Sequence, residues 1–168
     1  MTGSRVRHVY LVRHARAEAR GLRWPDDRRR PLSPAGIAAF SALLRTPRVR
    51  RSGVTLVLTS GLSRATGTAR LLARAVTPEA DVRVCRAVEP GGDPAHVVRA
   101  LRRHRATRIA IVGHEPDLSA LAALLTGHPV THPFPKGAMC RMRLRCAEAG
   151  AARIMWMATP PTSGEAAR

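Results

Sequence analysis

The chain has 168 residues, enough for one domain around a single core; 45% of them are hydrophobic but only 3% aromatic, so that core must be built from Ala, Val, Leu and Ile. The formal net charge is +18, carried almost wholly by arginine, with Lys136 the single lysine. No apolar run approaches the ~20 residues of a membrane helix, and Arg13 interrupts the N-terminal apolar stretch before it reaches signal-peptide length, which points to a cytoplasmic protein with no membrane partner.

In chain order, "HVYLV" (8–12) predicts a buried strand. "SPAGIAAFSALLR" (33–45) predicts a helix with Ser33 as N-cap and Pro34 at its first position. "VTLVLTS" (54–60) is a second strand, and "LSRATGTARLLARAV" (62–76) a helix despite Gly67. "DVRVC" (81–85) is a short strand, followed by a helix over 93–105 that opens on Asp93-Pro94. "RIAIVG" (108–113) is a strand, and "PDLSALAALLTG" (116–127) a helix closed by a glycine. Two more strands follow, over 139–146 and 152–158, the first alternating apolar and basic residues as a strand with one wet face would. Residues 159–168 read as a loose tail behind a domain spanning 1–158. The repeating strand–helix order implies an α/β fold: one three-layer domain with a mostly parallel central sheet and helices on both faces.

The arginines are spread along the chain, the dense runs "DDRRRP" and "RALRRHR" are short, and no aromatic residues interleave with them for base stacking. Nucleic acid is therefore not the expected partner, and the charge reads as an aid to encounter with anions. Cys85, Cys140 and Cys146 are odd in number and form no CxxC pair, which predicts reduced thiols rather than a disulfide framework. His128 and His132 have metal-ligand spacing only on a helix, and Pro129 and Pro133 make that stretch a loop. No metal or cofactor is expected, and a monomer is the expected state.

In an open α/β sheet, ligands bind at the carboxyl ends of the strands. Arg13 and His14 follow the first strand, Ser60 and Arg64 the second, and His114 the fourth. Two arginines and two histidines thus leave one edge of one sheet. Forked guanidiniums match phosphoryl oxygens. A neutral imidazole can attack phosphorus and carry it covalently. Fixed positive groups stabilise the charge that spreads over the equatorial oxygens during transfer.

"LVRHARAE", "SGLSRATGTA" and "VGHEP" resemble the Arg-His motif, the Ser-x-x-x-Arg-x-x-x-Thr-Ala helix start and the Gly-His motif of the histidine phosphatase superfamily, whose fold is that of the phosphoglycerate mutases. "DDRRRPLSPAG" and "PFPKGAMCRM" further resemble its short branch, the SixA-type phosphohistidine phosphatases; the likeness runs from about Val9 to Met157. The resemblance implies that His14 is the nucleophile that becomes phosphorylated and that Arg13, Arg64 and His114 hold the phosphoryl oxygens, with Ser60 beside them. Two departures stand out. Gly61 occupies a place often held by proline, which should loosen the turn. Ala87 occupies the usual slot of an acidic proton donor, leaving Glu89 and Glu115 as candidate acids. A phosphorylated imidazole leaves more easily than an alkoxide and needs less of a general acid. The connections are also too short for an enclosing lid. Both features favour phosphohistidine on a protein, with Arg16 and Lys136 as candidate rim contacts. The alternatives are a phosphatase of small phosphomonoesters, such as a sugar phosphate or nucleotide, and a non-enzymatic Arg-rich domain that binds polyanions.

Overall fold

The computed structural model describes residues 7–145 and 150–161. Six strands, β1 (Arg7–Arg13), β2 (Leu56–Thr59), β3 (Asp81–Val84), β4 (Arg108–Gly113), β5 (Met139–Leu144) and β6 (Ala152–Ala158), form one sheet in the order β3-β2-β4-β1-β5-β6. The first four in that order run parallel, β5 runs antiparallel to β1, and β6 runs antiparallel to β5. The helices are α1 (Pro34–Leu44), α2 (Pro47–Arg50), α3 (Ser63–Val76), α4 (Pro94–Arg103) and α5 (Asp117–Thr126). The architecture is the expected one, and β4 spans the predicted 108–113.

β1 shows why its sequence is a continuous apolar run. Val9 and Leu11 point to one face and Tyr10 and Val12 to the other, and all four are fully buried, as in any parallel strand covered on both faces. Val9 and Leu11 join Ile109, Ile111, Leu121 and Leu125 in a core layer under α4 and α5. Tyr10 and Val12 join Val57, Val112, Phe40 and Leu72 in a layer under α1 and α3. The Tyr10 hydroxyl, buried in that layer, donates to the Ser52 carbonyl at 3.0 Å. β5 alternates as predicted, Cys140, Met142 and Leu144 facing the α4–α5 core. Its arginine face is not simply wet: Arg141 lies against the His8 ring at 3.2 Å.

The caps follow their sequence signals. The Ser33 hydroxyl accepts from the Gly36 N–H at 3.1 Å, Asp93 caps α4, and Gly127 closes α5 at φ 75°. Three short elements were not foreseen: α2 and the single 3₁₀ turns Asp27–Arg29 and Arg86–Val88. Both 3₁₀ turns border the candidate site. Cys85 and Cys140 are free thiols, the latter pushed up to about 11 by burial; Cys146 and most of the predicted tail lie outside the described residues. His128 and His132 fall in the loop between α5 and β5, as their prolines require. Among the described residues no helix is long and apolar enough to cross a membrane.

Candidate active site

The ends of β1, β4 and β2 are level. Arg13 pairs with Gly113, and Val12, Val112 and Thr59 share the preceding rung. Ser60, level with Arg13 and Gly113, and His14 and His114, one residue further on, therefore emerge within one rung of each other along one crevice. Backbone bonds fix that register. The His14 N–H donates to the Gly113 carbonyl at 3.1 Å, and the Gly137 N–H donates to the carbonyls of Arg13 and His14 at 3.2 and 3.1 Å. Gly137 holds this position at φ 78°, in the left-handed region that favours glycine.

His14 is 8% exposed, and its Nδ1 lies 2.7 Å from the Ala15 carbonyl oxygen. A carbonyl only accepts, so Nδ1 carries the hydrogen and Nε2 is left with its lone pair free. The Ala15 N–H in turn donates to the Thr68 hydroxyl at 3.0 Å, and that hydroxyl donates to the Arg64 carbonyl at 2.7 Å. Thr68, fully buried, ties the segment that leaves β1 to the first turn of α3. The His114 ring sits 5.1 Å from the His14 ring, centroid to centroid. The Ser60 hydroxyl lies 2.7 Å from His114 Nε2, so Ser60 orients that ring.

The two arginines are anchored from opposite sides. Arg64, 5% exposed, donates to the Asp27 carbonyl at 2.8 Å and pairs with the Asp27 carboxylate at 2.9 Å. Arg13 donates to the Phe134 carbonyl at 2.7 Å. Each retains a buried Nε–H with no acceptor among the described residues, a donor an oxyanion can use. Burial, first of all, takes His14 down to about 3, with His114, Arg64 and Arg13 acting the same way against the Ala15 bond. Burial and Arg64 take His114 down to about 4. Both rings are therefore neutral near pH 7, and the crevice presents guanidinium charge beside two uncharged imidazoles.

The candidate acids separate. Glu89 reaches the mouth of the crevice, one oxygen accepting from the Gly61 N–H at 2.6 Å and the other from Arg28 at 3.1 Å. Gly61 thus has a use that its sequence position did not suggest. A proline there would have no N–H to give, and a Cβ would stand 3.1 Å from the Glu89 oxygen. The turn is tied rather than loosened. Glu115 faces elsewhere: its carboxylate accepts from the Ser119 hydroxyl at 2.7 Å and the Phe134 N–H at 3.3 Å. It holds the segment whose carbonyl holds Arg13. Arg16 and Lys136 are both exposed. Burial and the nearby charges of Arg13, Arg16, Arg30 and Arg20 hold the Lys136 ammonium below its ordinary value, which sets it at the same cationic mouth.

Sequence reasoning missed Asp27, Thr68 and the Phe134 carbonyl. Asp27 lies inside "DDRRRP", which reads as a charge run. Its carboxylate is held below the usual range, first by the Arg30 hydrogen bond and then by Arg64, Arg30 and Arg20. Thr68 stands four residues after Arg64, so its position on the inner face of α3 was readable from helical period alone.

The sequence model of the histidine phosphatase superfamily (branch 1) matches residues 9–88, which hold Arg13, His14, Ser60 and Arg64 but neither Glu89 nor His114. No curated protein matches the sequence. Among solved structures the chain is similar to SixA from Agrobacterium tumefaciens (20% identity, TM-score 0.77, covering 92% of this chain and 99% of that one). It is also similar to a protein histidine phosphatase SixA complexed with tungstate (21%, 0.79, 91% and 97%). A mycobacterial glucosyl-3-phosphoglycerate phosphatase shares the fold at 16% identity and TM-score 0.64, covering 90% of this chain and 98% of that one. These identities speak to fold alone. The family model thus covers just under half of the chain and the solved structures share its fold, and on both counts the chain is similar to the histidine phosphatase superfamily.

Proposed function

We propose that the protein removes phosphoryl groups from phosphohistidine on proteins, through a covalent intermediate on His14 and without a metal ion. The observation that carries the reading is the bond from His14 Nδ1 to the Ala15 carbonyl, which leaves Nε2 as a neutral nucleophile in the field of Arg64 and Arg13, whose Nε–H groups are buried. In the first step Nε2 forms a bond to phosphorus while the bond from phosphorus to the substrate imidazole nitrogen breaks. The electron pair stays on that nitrogen, which takes a proton from water. Arg13 and Arg64 donate their Nε–H groups to the equatorial oxygens. His114, neutral when the crevice is free, gains a reason to protonate once a phosphoryl dianion lies beside it. In the second step water attacks phosphorus, the His14–phosphorus bond breaks with its electron pair returning to Nε2, the water's proton neutralises the hydroxide left by the first step, and inorganic phosphate is released with His14 restored.

The leaving group decides the substrate class. A general acid must carry a proton on the oxygen it presents, and both Glu89 oxygens already accept hydrogen bonds. An imidazole leaving group tolerates that; an alkoxide does not. The second reading, a phosphatase of small phosphomonoesters, rests on the position of Glu89 at the mouth beside Arg64. Turnover compared on a phosphohistidine peptide and a panel of phosphate esters separates the two. Faster turnover of the esters favours the second reading. His14→Ala is expected to abolish turnover, and wild type quenched without acid should yield an acid-labile phosphate on His14. Chelation should leave the rate unchanged, because the positive charge is supplied by side chains.

A further inference from the structure

Beside the crevice, and sharing Arg64 with it, lies an open cavity of about 600 Å³ walled by Arg20, Arg28, Arg86, Asp27 and Glu89. Four guanidiniums face two carboxylates there, and both carboxylates are already committed. Asp27 is held by Arg64, Arg30 and Arg20 at 2.9, 2.8 and 3.4 Å. Glu89 is held by Arg28 and the Gly61 N–H. Arg86, exposed on the 3₁₀ turn that precedes Glu89, has no carboxylate partner among the described residues. Arg20 is mostly exposed and touches Asp27 only at the longest of the three distances.

We infer that this cavity is a vestibule for an acidic side chain of the substrate polypeptide, next to the phosphohistidine, with Arg86 as its principal contact. The inference rests on the function proposed above and names the kind of protein that site accepts. The chemistry of the walls selects the ligand. No aromatic residue lines the cavity, so a base has nothing to stack on. Arg86 and Arg20 are separate, solvated cations rather than a convergent fork with buried donors. They suit a single carboxylate attracted by charge, not a second phosphoryl group. Recognition of this kind changes binding more than chemistry, because the contact is the same in ground state and transition state.

The test uses two phosphohistidine peptides of one sequence, one with glutamates and one with glutamines flanking the phosphohistidine. With wild type, the Glu peptide should show a KM lower by about three- to fivefold at equal kcat, the scale of one exposed charge pair, and added salt should erase the difference. Arg86→Glu should reverse the preference, Arg86→Lys should keep it, and all three proteins should turn over the Gln peptide alike, which controls for folding. Equal KM values for the two peptides with wild type, or a preference that survives in Arg86→Glu, would overturn the vestibule and leave the phosphohistidine reading standing. Turnover of neither peptide, with esters hydrolysed, would overturn that reading and the vestibule with it.

Discussion

At His14 and His114 the same burial that builds the crevice sets a pH dependence. Both rings have an ordinary value of 6.5 in the unfolded chain and are held at about 3 and about 4 in the fold. Between those values the unfolded chain binds more protons, so their contribution to stability is complete above pH 6.5 and is lost as pH falls toward 4. Urea midpoints should therefore drop on acidification, His14 alone contributing about 2 kcal/mol of loss between pH 7 and pH 5, and less in a His14→Ala variant. For the same reason kcat/KM should show no acid limb at the usual histidine value; a limb centred near pH 6.5 would mean that His14 is solvated. Thr68 is the next test. Thr68→Val keeps the shape but leaves the buried Ala15 N–H without its acceptor, which should cost about 1–3 kcal/mol of stability and lower kcat through a displaced His14. Glu89→Gln should barely change the rate on phosphohistidine while slowing any ester hydrolysis; equal damage to both would make Glu89 an essential acid.

Elements place these residues by ending together. β1, β4 and β2 stop within one rung of each other, so that three residues distant in sequence share one crevice. The start of α1 then locks the loop that leaves β1. The Ser33 N–H donates to the Arg16 carbonyl at 3.1 Å, the Ser33 hydroxyl lies 3.3 Å from the same oxygen, and a Cβ on Gly36 would collide with that carbonyl. Gly36→Ala must push helix and loop apart, and the expected result is a loss of stability on the overpacking scale of ~1–3 kcal/mol, read as a lowered Tm, together with a lowered kcat. Ser33→Ala removes the cap and the hydroxyl's contact with the Arg16 carbonyl but keeps the backbone bond, and should cost ~1 kcal/mol.

At the scale of the whole molecule, the +18 charge is spread over the chain, while the crevice and its mouth concentrate Arg13, Arg16, Arg20, Arg30, Arg64 and Lys136. That field should draw in the phosphorylated substrate proposed above. The value of kcat/KM should thus fall as ionic strength rises from ~0.01 M to ~1 M, over which the screening length shrinks from ~30 to ~3 Å. A flat salt response would mean that the arginines outside the crevice play no part in encounter. Three strands ending in Arg-His, Ser-Gly and Gly-His could be read from the sequence because apolar runs and their polar stops are local properties, as are the Ser33 and Asp93 caps and the glycine that closes α5. The superfamily motifs could be read for the same reason. Asp27 and Glu89 could not be placed. Each sits on or beside a single 3₁₀ turn, too short to show a period, and each finds its partner, Arg64 or Gly61, across a long stretch of chain. A carboxylate in an arginine run has many possible partners in sequence. Only the packed sheet, by bringing the strand ends level and burying Arg64, decided that Asp27 holds this guanidinium and that Glu89 is bound at the turn.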